Sequence, residues 1–483
     1  MTVINILVYT DSEKFSLEDD SEDFRLTILQ NLLQTKSLGF AQFKLTVINR
    51  YEGFAQPTTA GNPKTPRKLT LTLLEPFDEI WFFGWYQKEV DQEFSTDFGG
   101  RDNELSPEEV EALDHWMSTG GVLISGDHSV FAPGGKPEDP RDTFLCLGRA
   151  LGHRVPRAGQ LRKWEGPPTN ILDDAFDTLV RFGAADESDP DLQTDAVPQT
   201  LNLAKLANGL PHPIFLGKDR TLNMFPDHMH EGKLIIPPKL CKYWPPFEEQ
   251  DESRKPRPVV IADGCDKRNC NSSPVLAVYD GDNLGVGRIV ADSSWHHYLN
   301  VNLRGFPDTG QGSFREAIGQ LFQNLALYLA PRDKRKQASN DLIAWLVRHP
   351  AVEEERGNDP VSVGKVALKR LSQICTGYEI AELLQLALFP KMDDSEGLSF
   401  LSLGTNSDLI PSKELLVGSI INRHYRDASA RLSQKVAADF SFEKPEDIVA
   451  AGVEDAFIAH RESLKETMSR IPGLRLKIVD ADA

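Results

Sequence analysis

The chain has 483 residues, of which 40% are hydrophobic and 26% are charged, and its formal net charge is -19. This length predicts about two or three domains. So large an acidic excess argues against non-specific nucleic-acid binding, which needs Lys and Arg to displace counterions, and against adhesion to an anionic membrane surface.

The first 130 residues alternate between short apolar strands and amphipathic helices. Predicted strands cover 3–9, 43–49, 78–83 and 122–125, and predicted helices cover 22–34 and 106–117. The second helix has the strongest signals: Ser106 is a good N-cap, Pro107 occupies the first helical position, and Glu109 completes a capping box. This alternation predicts an α/β fold, a flavodoxin-like doubly wound parallel sheet with helices on both faces.

The remaining sequence is less regular and suggests a second domain. Long insertions are predicted at about 155–257, strands return at 233–236, 258–262, 274–279 and 287–292, and a helix follows at 314–329. The charged segment PRDKRKQ (331–337) is interpreted as a break between two domains, 1–332 and 338–483. The second of these shows helical spacing and is predicted to be mainly α-helical.

Targeting and redox signals in the sequence favour a cytoplasmic location. The N-terminal residues predict a strand and lack the features of a signal peptide. No stretch approaches the roughly 18 apolar residues of a membrane span. Five cysteines in a chain of this length do not indicate a disulfide framework.

Four segments occur in an order that is known from one family: FDEIWFFG, LSPEEVEALDHWMSTGGVLISGDHS, LPHPIF and GRIVADSSWHH. Together they resemble the trehalose-utilisation (ThuA-like) branch of the class I glutamine-amidotransferase-like superfamily, over about residues 1–330. The chemistry of that branch is poorly defined and is associated with sugar metabolism, so the resemblance implies a fold better than a substrate.

The resemblance also implies which residues would lie at a site. His128 matches the histidine of the turn after the fourth strand, and His212 matches a His-Pro element. Asp227 and Glu231 lie near an acidic segment of the family, and the late histidine is matched by His296 or His297. Asp127 departs from the pattern, because an apolar residue usually precedes the turn histidine.

The turn Ser125-Gly126-Asp127-His128-Ser129 lies at the carboxyl end of a predicted strand, where ligands bind in sheets of this kind. An acyl-transfer enzyme of this fold needs a thiol or hydroxyl there. His128 stands in the nucleophile's place, and an imidazole is a weak acyl nucleophile but a good general base or metal ligand. Glutaminase activity is therefore not expected. The alternative is that His128 and Asp127 merely cap the turn.

Histidines and carboxylates cluster in two further segments. His228 and His230 would share a face of an extended backbone, with Asp227 and Glu231 beside them, and Asp292 ends a strand just before the pair His296-His297. Such a mixture suits a divalent metal site or a His–Asp general-base pair. No diagnostic metal signature is present, the cofactor stays unknown, and the alternative is a set of structural or surface histidines.

Two functions are compatible with these features. The first is a hydrolase or proton-transfer enzyme acting on a small polar or carbohydrate substrate. Its catalytic residues would be His128, Asp127, Asp292, His296 and His297, and its substrate-binding residues would be His212, Asp227, His228, His230 and Glu231. The second is a non-catalytic ligand-sensing or scaffold protein whose helical domain, 338–483, mediates homo-oligomerisation or binds a protein partner.

Overall fold

A computed structural model of the chain provides the coordinates. It describes residues 2–10, 16–17, 25–34, 41–50, 67–84, 105–127, 129–131, 144–146, 155–163, 199–206, 209–226, 233–234, 236, 244, 257–265, 272–293, 295–304, 314–388, 411–433 and 445–469.

The strands assemble around one large sheet. They are β1 (Thr2–Thr10), β2 (Ala41–Asn49), β3 (Glu79–Gly84), β4 (Gly121–Asp127), β5 (Ser129–Phe131), β6 (Phe144–Cys146), β7 (Arg162–Lys163), β8 (Gln199–Thr200), β9 (Asn202–Leu203), β10 (Met224–Phe225), β11 (Lys233–Leu234), β12 (Val259–Cys265), β13 (Ser272–Tyr279) and β14 (Ile289–Asp292). The large sheet has the order β2-β1-β3-β4-β14-β13-β12-β9, and β5–β6, β7–β11 and β8–β10 form three small pairs.

Helices pack on both faces of this sheet, and further helices follow it in the chain. They are α1 (Thr27–Gln34), α2 (Leu71–Leu74), α3 (Pro107–Trp116), α4 (Asn300–Arg304), α5 (Phe314–Leu329), α6 (Arg332–Arg348), α7 (Pro350–Glu353), α8 (Pro360–Ile374), α9 (Gly377–Leu388), α10 (Lys413–Ser433) and α11 (Pro445–Ser469).

The alternation of side chains along β1 shows how the two faces are buried. Ile4, Ile6 and Val8 belong to the hydrophobic cluster beneath α1 and α5, whereas Leu7 and Tyr9 belong to the cluster beneath α3. Because successive residues of a strand point to opposite faces, a strand buried on both sides must be apolar throughout. The predicted α/β class is therefore confirmed.

The sheet is mixed, and in this it differs from the parallel sheet that the sequence predicted. The five strands β2, β1, β3, β4 and β14 pair in parallel, but β14–β13, β13–β12 and β12–β9 pair in antiparallel. Fewer than a dozen residues join β12 to β13 and β13 to β14, and connections this short return the chain in the opposite direction.

The helices from Arg332 onward have a hydrophobic cluster of their own, formed by residues of α6 to α11. The segment PRDKRKQ, expected as a charged break, begins α6 instead. This helix meets the amino end of the sheet: the Lys334 ammonium donates to the carbonyl of Val3 at 3.1 Å, and Thr2 Oγ1 donates to Asp341 at 3.3 Å. Of the helices that the structure describes, none is long and apolar enough to cross a membrane.

Candidate functional site

A carboxylate and an imidazole form a buried pair where β14 ends. Asp292 is the last residue of β14, and His297 lies in the 3-10 turn that follows, Trp295–Tyr298. Asp292 Oδ1 lies 2.9 Å from His297 Nδ1, and neither side chain is exposed to solvent. The carboxyl ends of parallel strands are where this class of fold binds its ligands, so the pair occupies the expected edge of the sheet.

Tyr298 holds the other oxygen of the same carboxylate. Its hydroxyl donates to Asp292 Oδ2 at 2.7 Å. Burial, together with the neighbouring Asp292 carboxylate, holds the pKa of the Tyr298 phenol well above its usual range, so the hydroxyl stays a donor. Asp292 therefore accepts on both oxygens, and its orientation is fixed.

Aromatic rings fix Tyr298 in turn. Its ring stacks on Phe83 at 4.7 Å between centroids and lies 5.9 Å from Trp81 and 5.0 Å from Phe322. Phe83 belongs to β3 and Phe322 to α5, so the cluster ties the turn to both the sheet and a helix. This packing restricts the motion of Tyr298 and, through it, of the dyad formed by Asp292 and His297.

On the far side of the imidazole, the Nε2 atom has no hydrogen-bond partner among the described residues. An ionised carboxylate can only accept, so the neutral imidazole carries its proton on Nδ1 and has a lone pair on Nε2. Within the described part of the chain, His297 Nε2 is buried and has no hydrogen-bond partner. A buried polar atom is nearly always paired, and an exception calls for an explanation. One explanation is that Nε2 acts as a base that receives a proton from a substrate.

The hydroxyl of Ser125 on β4 is also buried at this edge, and it has no hydrogen-bond partner among the described residues. The last in-register pair between β14 and β4 is Ala291 with Ile124. Asp292 and Ser125 are thus the next residues on two adjacent strands. The ends of β4 and β14 therefore lie side by side at this edge.

The chain just before the predicted site residues Asp227 to Glu231 also lies at this edge. The ring of Phe225 lies 4.4 Å from that of His297, and Phe225 is two residues from Asp227. The turn Trp295–Tyr298 packs against β4. The chain thus approaches the dyad from β4, from β10 and from β14.

The predicted site residues fare differently. Asp292 and His297 are brought together. Asp127 ends β4, but its side chain lies outside the described part, as does that of His296. His128, Asp227, His228, His230 and Glu231 lie outside the described residues altogether. In the part of the chain that is described, no group of three or more His, Cys, Asp or Glu could hold a metal ion.

His212 lies elsewhere, at the amino end of β14. Its ring lies 5.5 Å from that of Tyr328, and its Nδ1 accepts from the amide of Ile214 at 3.4 Å. Burial, together with the nearby Arg288 guanidinium, lowers the pKa of His212 to about 3. Arg288 comes immediately before β14 and Asp292 ends it, so His212 is separated from the dyad by the length of that strand.

Tyr298, Ser125 and Phe225 were not predicted as site residues. Tyr298 directly follows His297, and Ser125 and Phe225 each lie two residues before a predicted residue, so nearness in the sequence is the signal that could have found them. Comparisons of the chain with protein-family models, with curated proteins and with solved structures found no match.

Proposed function

We propose that the chain is a hydrolase or proton-transfer enzyme that acts on a small polar or carbohydrate substrate, with His297 as its general base. The observation that carries the proposal is the Asp292–His297 pair, whose Nδ1 is held and whose Nε2 has no partner among the described residues. The expected resemblance to the ThuA-like branch supports a substrate of this class.

The arrangement accounts for the chemistry that a general base requires. A carboxylate behind Nδ1 fixes the tautomer that presents a lone pair at Nε2, and it stabilises the imidazolium that forms when a proton arrives. Because the surroundings of His297 exclude water, the stabilisation by Asp292 is stronger than it would be in solution. A hydroxyl or a water bound at Nε2 would be activated as a nucleophile.

The replacement His297→Gln tests this proposal. We expect turnover to fall by roughly 100-fold to 10,000-fold, the usual contribution of a general base. The measurement is the hydrolysis rate of chromogenic esters and glycosides by the full chain, on any substrate that the unmodified protein turns over. His115→Gln, an exposed histidine on α3, is the matched control and should keep full activity. Full activity of a folded His297→Gln protein would refute the proposal.

A non-catalytic role is the second candidate, and one observation favours it. The helices after Arg332 enclose a cleft of about 630 Å3, bordered by Arg356, Tyr425, Arg426, Asp455 and Ile458. A cleft with charged and apolar walls could bind a small ligand or a segment of a partner protein. This candidate becomes the better account if His297 proves dispensable.

A further inference from the structure

We propose that Ser125 is the nucleophile of this site and that Ser125, His297 and Asp292 form a catalytic triad for the hydrolysis of carboxylic esters. The inference rests on the proposed function, because it takes His297 as the base. It adds a residue with a defined role and a narrower class of substrate.

The register of the sheet brings Ser125 to the dyad. Ile124 pairs with Ala291, so Ser125 and Asp292 follow on neighbouring parallel strands, which lie about 4.8 Å apart in a sheet. His297 is hydrogen-bonded to Asp292, so His297 and Ser125 adjoin the same residue, the first through its side chain and the second across the sheet.

A β-bulge marks the same position on β4. Phe82 pairs with Ile124 and Gly84 with Asp127, so β4 carries one residue more than β3 over this stretch. Bulges redirect side chains and are frequent beside active sites. The sequence placed the nucleophile's position at His128, whereas the bulge makes Ser125 the hydroxyl that ends the regular part of β4.

Both reacting atoms lack a hydrogen-bond partner among the residues that the structure describes. Within the described residues, Ser125 Oγ and His297 Nε2 are fully buried and make no hydrogen bond. An unpaired buried hydroxyl costs stability, and a serine without a base is a weak nucleophile. Under this proposal, a substrate bound between the two atoms would satisfy both.

The reaction balances with water as the only co-substrate. Ser125 Oγ attacks the ester carbonyl carbon and its proton passes to His297 Nε2. The bond between the carbonyl carbon and the alcohol oxygen breaks, and Nε2 returns the proton to the departing alkoxide. Water then attacks the acyl-enzyme and gives a proton to Nε2, and Ser125 leaves with that proton as the carboxylic acid is released.

The walls around the dyad select the acyl group. Phe225 lies against the imidazole, and Phe83 stacks on Tyr298 beside the carboxylate. Aromatic rings provide apolar surface and no counter-charge, so they favour a hydrocarbon acyl group over a charged one. Combined with the polar substrate of the proposed function, this gives an ester that joins an uncharged, apolar acyl group to a polar alcohol.

Labelling of the full chain with an alkyl fluorophosphonate tests the proposal. The serine oxygen forms a bond to phosphorus, fluoride leaves, and the proton passes to the base. Intact mass gives the number of adducts, and peptide mapping of the wild type identifies the labelled serine without any variant. We expect one adduct, on Ser125.

Variants test the dependence on the base, with thermal melting as the check of folding. Ser125→Ala should not be labelled, and His297→Gln should be labelled roughly 100-fold more slowly. Ser118→Ala, an exposed serine after α3, is the matched control and should be labelled at the wild-type rate.

The contrary results separate this inference from the proposed function. An adduct on another serine, or no adduct while turnover still depends on His297, overturns Ser125 as the nucleophile and leaves His297 as a base that activates water. No adduct together with turnover that is indifferent to His297→Gln overturns both.

Discussion

Two buried histidines in this protein differ in the charge beside them. His297 has the Asp292 carboxylate at its Nδ1, which can stabilise an added proton. His212 is buried near the Arg288 guanidinium, and both its burial and that cation disfavour the charged form. We infer that His297 can carry a proton through a reaction, whereas His212 serves as a neutral cap of the turn that it begins.

His212 should make the protein sensitive to mild acid. The pKa of this imidazole is about 3 when folded and close to 6.5 when unfolded, so between these values the unfolded chain binds a proton that the folded chain does not. The free energy of unfolding should therefore decrease as the pH is lowered, by about 2 kcal/mol from pH 6.5 to pH 5.

The variant His212→Asn isolates this contribution, since the asparagine oxygen can still accept from Ile214 N. Urea unfolding at several pH values measures the effect. The difference between variant and wild type should shift in favour of the variant as the pH falls. Parallel pH profiles would show that His212 does not contribute.

At the residue scale, the sequence predicted the members of the dyad but not their environment. Asp292 ends an apolar strand and a histidine pair follows it, which is a local pattern. Ser125 was not predicted because its place beside Asp292 depends on the pairing of β4 with β14, and Tyr298 was not predicted because its bond to Asp292 depends on the turn geometry. The choice between His296 and His297 likewise required the turn geometry, which sets His297 against Asp292.

At the element scale, the short strand β14 connects the two ends of the sheet. Asp292 ends it, and Arg288 just before it is buried in a cluster with acidic side chains. Arg288 lies 3.0 Å from Asp280, 3.3 Å from Asp282 and 3.5 Å from Glu382, and Arg335 of α6 also binds Asp282 and Glu382. The cluster fastens α6 and α9 to the beginning of β14.

Glu382 is the member of this cluster that α9 contributes. Burial opposes its ionisation, but Arg288 and Arg335 outweigh that effect and lower the pKa of the carboxyl. The replacement Glu382→Ala leaves two buried guanidinium groups with fewer partners. It should lower the free energy of unfolding by about 3–5 kcal/mol, the usual cost of breaking a buried ion pair.

Urea unfolding followed by circular dichroism measures this loss. Glu354→Ala, an exposed carboxylate after α7, is the control and should change stability by less than about 0.5 kcal/mol. Equal stability of Glu382→Ala and the wild type would contradict the role assigned to the cluster.

Elements were predictable where their signals are local. The capping box of α3 forms as expected, with Ser106 and Glu109 bonded reciprocally. The sequence did not reveal that Glu109 also binds Arg50 in a buried bidentate pair, at 2.6 and 3.0 Å. The antiparallel pairing of β13 with β12 and β14 was missed for a similar reason, because strand direction depends on pairing across the sheet rather than on a local pattern.

At the scale of the whole molecule, the amino ends and the carboxyl ends of the strands have different roles. The amino ends of β1 and β14 receive α6 and α9 through hydrogen bonds and the buried ionic cluster. The carboxyl ends of β4 and β14 carry the dyad and Ser125. The helices after Arg332 thus pack at the edge opposite to the proposed site, and they stabilise the amino end of β14.

This arrangement could not be predicted from the sequence. Arg288 and Glu382 are far apart along the chain, and each has a charge that is ordinary for a surface residue. The charged segment at 331–337 was interpreted as a break for that reason, although Arg335 within it is almost fully buried. A buried pairing of this kind becomes apparent only when both partners have been placed by the fold.

The proposed function requires a lone pair at His297 Nε2, and nitrogen NMR of the imidazoles detects it. Spectra of protein labelled at its 11 histidines, recorded at alkaline pH where imidazoles are neutral, distinguish the two tautomers, and His297→Gln assigns the signal. We expect His297 to carry its proton on Nδ1, and to move it to Nε2 in Asp292→Asn, whose amide can donate to Nδ1. A proton on Nε2 of the wild-type His297 would contradict the account.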